Sequence, residues 1–147
     1  MSSYLVAALC FLALASAVPV QFKDCGSKTG HIKVVDVSNC DKFPCPLKRG
    51  SDATIKVTYT PTTGSASAKS VVHGIIAGLP VPFNPPVTDT CASSVPACPS
   101  KANTDVTFTA TLPIQTMYPK LSLTVKWEVQ DDNNQDLVCF MIPVVIV

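Results

Sequence analysis

A chain of 147 residues, 47% apolar, 14% charged and with a net charge of +1, has the length of one ordinary domain and enough apolar residues to bury a core. A near-neutral balance with a single arginine, Arg49, excludes the basic footprint on which nucleic-acid binding depends. Sparse charge beside abundant apolar residues points to apolar surface used for more than a minimal core.

The first element in the chain is the apolar run LVAALCFLAL at residues 5–14, followed by the small-x-small triplet Ala15, Ser16 and Ala17. This predicts a secretory signal peptide over residues 1–17 with cleavage after Ala17, although no Lys or Arg precedes the run. The run is too short to span a bilayer comfortably, and no later segment reaches the roughly 18 apolar residues a membrane helix needs. One exported domain over residues 18–147 is the expected mature chain.

Loss of Cys10 with the signal segment leaves Cys25, Cys40, Cys45, Cys91, Cys98 and Cys139. An even number in an exported chain means disulfides. Six cysteines allow about 15 connectivities, but short loops favour Cys40 with Cys45 and Cys91 with Cys98, leaving Cys25 to reach Cys139.

Thirteen prolines and many threonines argue against helices. Strands are predicted over residues 30–37, 54–60, 70–79, 106–112, 121–130 and 137–147, with a short additional one over 20–23. Residues 54–60 alternate Ile55, Val57 and Tyr59 with polar neighbours. The clearest segment is LSLTVKWEVQ at 121–130, in which Leu121, Leu123, Val125, Trp127 and Val129 all point one way. Residues 137–147, LVCFMIPVVIV, are apolar on both faces and read as a central strand. Pro143 cannot donate to a ladder, so a bulge or an unpaired edge is expected there. Polar loops fall at 61–68 and 130–135, and residues 80–99 read as an extended, proline-rich connection pinned by Cys91 and Cys98. The sum is an all-β, immunoglobulin-like antiparallel β-sandwich in one domain.

Catalytic motifs are absent. The sequence has no G-x-S-x-G elbow, no H-E-x-x-H and no glycine-rich phosphate loop. His73 lies in an apolar segment with no nucleophile or orienting partner in view. Asp131 and Asp132 fall in a turn, where capping the backbone is their natural work. Cys40 and Cys45 have a permissible zinc spacing, but the second pair is too wide and the compartment oxidising. Hence no enzyme, no cofactor and no metal is expected. The sequence also holds no Asn-x-Ser/Thr acceptor for glycosylation.

Four stretches carry a resemblance: VQFKDCGS at 20–27, VVHGIIAGLPVPF at 71–83, LPIQTMYP at 112–119 and KWEVQDDNNQDLVCFMIPVVIV at 126–147. With the six cysteines they resemble the ML lipid-recognition domain family, most closely its soluble sterol-transfer branch, over the whole mature chain. The resemblance implies one lipid held between two sheets. By position it makes Phe83, Ile114 and Tyr118 portal and pocket residues, with Ile55, Val81, Leu112, Pro113, Leu123, Val125, Trp127 and Phe140 lining the rest. Alternation alone places Ile55, Leu123, Val125 and Trp127 on buried faces, without distinguishing a packed core from a cavity. Ala53 and Phe140 depart from the larger aromatics common in that branch.

The partners implied are a sterol or other apolar lipid, transient contact with membranes and a membrane sterol receptor through GLPVPF at 78–83, and no nucleic acid. A monomer is expected. Secretion is the expected location, with a lysosomal or endosomal lumen left open because the glycosylation handle is missing. The alternative is an innate-immune lipid-recognition protein or a pheromone- or odorant-type lipid carrier. A basic rim would favour immune recognition, and this chain offers only Lys48, Arg49 and Lys101, scattered in sequence.

Overall fold

A computed structural model describes residues 17–147; the expected signal segment lies outside the described residues except for Ala17. The strands are β1 (Ala17–Pro19), β2 (Lys23–Asp24), β3 (Gly30–Ser38), β4 (Cys45–Leu47), β5 (Ser51–Pro61), β6 (Lys69–Ile76), β7 (Leu79–Phe83), β8 (Ser94–Val95), β9 (Val106–Ile114), β10 (Ser122–Gln130) and β11 (Asp136–Ile146), with one short 3-10 turn at Thr90–Ser93. They form two sheets. The first runs β1-β3-β5-β9-β8; the second runs β2-β11-β10-β6-β7, with β4 also beside β11.

The alternation that predicts β10 and β5 decides which side faces the interior. Trp127 and Val129 on β10, and Ala53, Ile55, Val57 and Tyr59 on β5, are buried. Cross-strand register then stacks these positions: Trp127 sits between Phe140 on β11 and Val72 on β6, and Val57 sits between Val35 on β3 and Phe108 on β9. A row of four buried aromatics crosses from one sheet to the other. Phe140 stacks on Trp127 at 6.3 Å and 4°, Trp127 meets Phe108 at 6.4 Å, and Phe108 meets Tyr59 edge-on at 6.2 Å. Such pairs contribute about 0.5–1.5 kcal/mol each beyond the area they bury. Burial pushes the Tyr59 hydroxyl up to about 12.

Three disulfides tie the sandwich: Cys25–Cys139, Cys40–Cys45 and Cys91–Cys98. The first joins segments 114 residues apart. At the same end Gly30 lies so close to the Leu137 carbonyl that a Cβ would strike it, while Lys28 and Thr29 donate their amides to the Asp136 carbonyl. Asp131 does the turn work that its position suggests, whereas Asp132 ties the turn to the loop at Ala66. The Asp131 carboxylate accepts from the Asn133 and Gln135 amides at 2.9 Å and from the Thr29 hydroxyl at 3.1 Å; Asp132 accepts from the Ala66 amide at 3.0 Å.

Several expectations need correction. Residues 70–79 are not one strand: β6 stops at Ile76, Ala77 and Gly78 take φ values of 50° and 79°, and β7 returns antiparallel. Two successive left-handed residues make the tight turn whose twist suits a hairpin. Pro80 and Pro82 are tolerated because β7 is an edge strand. Of the expected strand at 20–23 only Lys23 lies in a strand; residues 20–22 link β1 and β2, which belong to different sheets. Pro143 causes no register shift against β10; the one shift falls between Val129 and Gln130. On the other flank of β11, pairing with β2 reaches only to Met141 and pairing with β4 starts at Val144, so Pro143 occupies an unpaired edge, the other outcome expected for it.

Candidate functional site

The interior is not filled uniformly. Beyond the aromatic row, toward β7 and the 115–121 connection, the two sheets enclose an almost wholly apolar cavity of about 90 Å³. Six expected residues line it: Phe83, Leu112, Ile114, Tyr118, Leu123 and Val125. Five of them arrive by strand parity, and Tyr118 comes from the connection between β9 and β10. Leu112 and Ile114 share the inward face of β9, Leu123 and Val125 that of β10, and Phe83 is opposite the inward Val72.

Phe83 and Tyr118 close the cavity, their rings meeting edge to face at 6.5 Å and 75°. The Tyr118 amide donates to the Gln115 carbonyl at 3.1 Å, and its carbonyl accepts from Arg49 Nη1 at 3.3 Å. Arg49 Nε is buried beside this bond and has no hydrogen-bond partner among the described residues. Around the closure, Leu79, Val81 and Met117 are 69%, 45% and 80% exposed. Val81 shares the inward face of β7 with Phe83 but lies at the rim, and Met117 adjoins Tyr118 in the chain.

Five expected liners stand elsewhere. Ile55, Trp127 and Phe140 are buried in the packed core beneath the cavity rather than on its wall. Val81 is at the exposed rim. Pro113 has the opposite parity to Leu112 and Ile114 and faces a groove outside the cavity, because one residue along a strand reverses the side chain. Residues not anticipated also reach the wall: Leu47, Val72, His73, Gly74, Val144 and Ile146. The inward parity of Val72 was available from the sequence, as was the doubly apolar character of Val144 and Ile146; Leu47 depends on β4, which carries no strand pattern of its own. Gly74 makes room there, since a Cβ would come within 3.0 Å of Leu123 Cδ1.

The arrangement suits an apolar guest and little else. The volume falls well below the roughly 300–1,000 Å³ of ligand pockets, so a guest of that size would have to part the aliphatic walls. Among the described residues no cluster of His, Cys, Asp and Glu is placed to hold a metal, and no helix is long and apolar enough to cross a membrane.

The family model described as the ML domain matches residues 19–146. "NPC intracellular cholesterol transporter 2" of Bos taurus is 44% identical over 144 residues, covering 96% of both chains. Its counterpart in Danio rerio is 42% identical, covering 97% of this chain and 95% of that one. A crystal structure of a Niemann-Pick type C2 protein from Japanese carpenter ant superposes with a TM-score of 0.82 at 26% identity, over 87% of this chain and all of that one.

Proposed function

The chain belongs to the ML-domain family, and from that premise we propose that it is a carrier that binds one sterol, a cholesterol-like lipid, between its two sheets and passes it to a membrane or receptor. The observation that carries this reading is the apolar cavity closed by Phe83 and Tyr118, in a chain similar to proteins named as cholesterol transporters. Ile55, Trp127 and Phe140 support the floor, and the parting of Val72, Leu123 and Val125 enlarges the space.

Apolar shape governs affinity. Burying about 500 Å² of ligand surface is worth about 12 kcal/mol before association costs of several kcal/mol, against about 1 kcal/mol for one head-group hydrogen bond. The exposed Leu79, Val81 and Met117 form the surface that we assign to transient contact with a membrane or a membrane receptor. Export follows from the proposed cleavage after Ala17, which leaves Val18 and Pro19 to pair with β3. Titration with dehydroergosterol tests the reading: saturable quenching of Trp127 fluorescence with one site per chain supports it, and no binding of sterol or any neutral lipid overturns it.

A further inference from the structure

Residues 61–68, PTTGSASA, contain only proline, threonine, glycine, serine and alanine, and no charged residue falls between Lys56 and Lys69 on either side. Thr62, Thr63, Gly64, Ala66 and Ser67 are exposed, yet the backbone beneath them is pinned. The Thr62 amide donates to the Thr29 carbonyl at 2.9 Å, and Ser65 and Ser100 exchange amide-to-carbonyl bonds at 3.2 and 2.8 Å. The Ala66 amide donates to the Asp132 carboxylate at 3.0 Å.

The Thr and Ser hydroxyls between the two lysines fall into two sets. Thr58 bonds Thr107 at 2.9 Å and Thr60 donates to Asp105 at 2.6 Å. The buried Ser65 donates to the Ser67 carbonyl at 2.6 Å and accepts from the Asp132 amide at 3.1 Å. Thr62, Thr63 and Ser67 are exposed, and their hydroxyls have no hydrogen-bond partner among the described residues.

We propose that Thr62, Thr63 and Ser67 are acceptors for O-linked glycosylation, each taking an N-acetylhexosamine from a nucleoside-diphosphate sugar as the chain is exported. The inference rests on the export proposed above and is independent of what the cavity binds. In the transfer a Thr or Ser Oγ attacks the anomeric carbon of the sugar. The bond from Oγ to that carbon forms, the bond from the carbon to the phosphate oxygen breaks, the nucleoside diphosphate departs and the hydroxyl proton is released.

A segment rich in Ser, Thr and Pro is the compositional mark of O-glycosylated chain, and the structure supplies the physical grounds. Pro61 ends β5, so the residues after it leave the ladder and stand open to a transferase. Gly64, Ala66 and Ala68 put no bulky side chain beside the acceptors for a sugar ring to meet. Modifying Thr58, Thr60 or Ser65 would instead break a bond that holds the fold. The loop is also remote from the gate. β5 runs from Ser51, opposite the cavity-lining Ile114, to Pro61, opposite Gly30, a length of about 35 Å. A glycan there leaves Phe83 and Tyr118 clear and covers an exposed tip of small residues, the kind of site where proteases nick.

Trypsin releases the loop as one peptide, residues 57–69, because Lys56 and Lys69 flank it. Protein purified from its source is digested and this peptide is read by mass spectrometry with electron-transfer fragmentation, which keeps a sugar on its residue. The expected result is added N-acetylhexosamine on Thr62, Thr63 or Ser67, and none on Thr58, Thr60 or Ser65. The triple variant Thr62→Ala, Thr63→Ala, Ser67→Ala, secreted from the same cells, should lose the added mass. A peptide at its unmodified mass from a chain that lacks residues 1–17 would overturn the inference and leave export standing. Sugar on Thr58, Thr60 or Ser65, or a triple variant that keeps the added mass, would overturn it too. A chain that retains residues 1–17 and carries no sugar would overturn both.

Discussion

The rings of Phe83 and Tyr118 meet edge to face at 6.5 Å across the open side of the sandwich. Phe83 ends β7 of the second sheet, and Tyr118 follows β9 of the first, so their contact bridges the two layers at the cavity mouth. On the Tyr118 side the ring packs against the core, and its turn is fixed by the Gln115 carbonyl and by one hydrogen bond from Arg49. Truncating either ring opens the mouth and removes apolar contact with the ligand worth about 1.5–3 kcal/mol. Phe83→Ala and Tyr118→Ala should each weaken dehydroergosterol binding by about tenfold or more, mostly through faster release, with melting temperature little changed. Stopped-flow release measurements check this; unchanged rates in both variants would remove these residues from the gate.

Much of this gate is legible in the sequence, and the reasons mark where legibility ends. Strand parity is a local property, so Leu123, Val125, Trp127 and Ile55 declare their buried faces by alternation alone. Whether an inward residue packs or lines a cavity depends on what stands opposite it, and that is decided by pairing between distant strands. Trp127 and Phe140 become core because they stack on each other, whereas Leu123, on the same face of β10, reaches open space. Pro113 shows the converse error: a position carried over by resemblance can be off by one residue in effect, and the pleat then turns it outward. The hairpin between β6 and β7 was hidden because its turn uses Ala77 at positive φ, where Asn or Asp would have signalled it.

Gly74 offers a way to fill the cavity without touching the mouth. A Cβ there meets Leu123 Cδ1 at 3.0 Å, and a branched side chain would occupy the space a ligand needs. Gly74→Val keeps good strand propensity, so the fold should survive while sterol affinity falls about tenfold or more. Equilibrium titration beside a thermal melt separates the two effects, and full affinity in a folded variant would mean that the ligand does not use this wall.

The bond between Cys25 and Cys139 closes the longest loop of the three, 114 residues. For a loop of about 100 residues the chain-entropy model gives a stabilisation of about 4.7 kcal/mol, against about 3 for one of about 15. Replacing both cysteines with Ala should therefore lower stability by about 4–5 kcal/mol in urea unfolding. The corresponding change at Cys91 and Cys98, seven apart, should lower it less. The reverse order would contradict the account.

Asp136 predicts a pH response. Burial first, then the hydrogen bond to Glu128 and the negative charge of Glu128, pushes its carboxyl from 3.8 up to about 6. The folded state thus holds this proton more tightly than the unfolded chain does. Its contribution to stability is complete below 3.8 and is lost as pH rises through about 6. Asp136→Asn should consequently be more stable than the wild type near neutral pH, by no more than about 1 kcal/mol because the carboxyl is partly exposed and screened. The advantage should vanish as pH falls below that window. Denaturant unfolding across the acidic range checks both the sign and the window; a variant that loses stability near neutrality would refute the coupling.

The central claim is that one apolar lipid sits between the sheets, and native mass spectrometry reads it most directly. Protein purified from its source, then delipidated and incubated with cholesterol, should gain one sterol mass per chain. That adduct should be depleted in Phe83→Ala and Tyr118→Ala. A folded, delipidated chain that takes up neither sterol nor fatty acid would contradict the account.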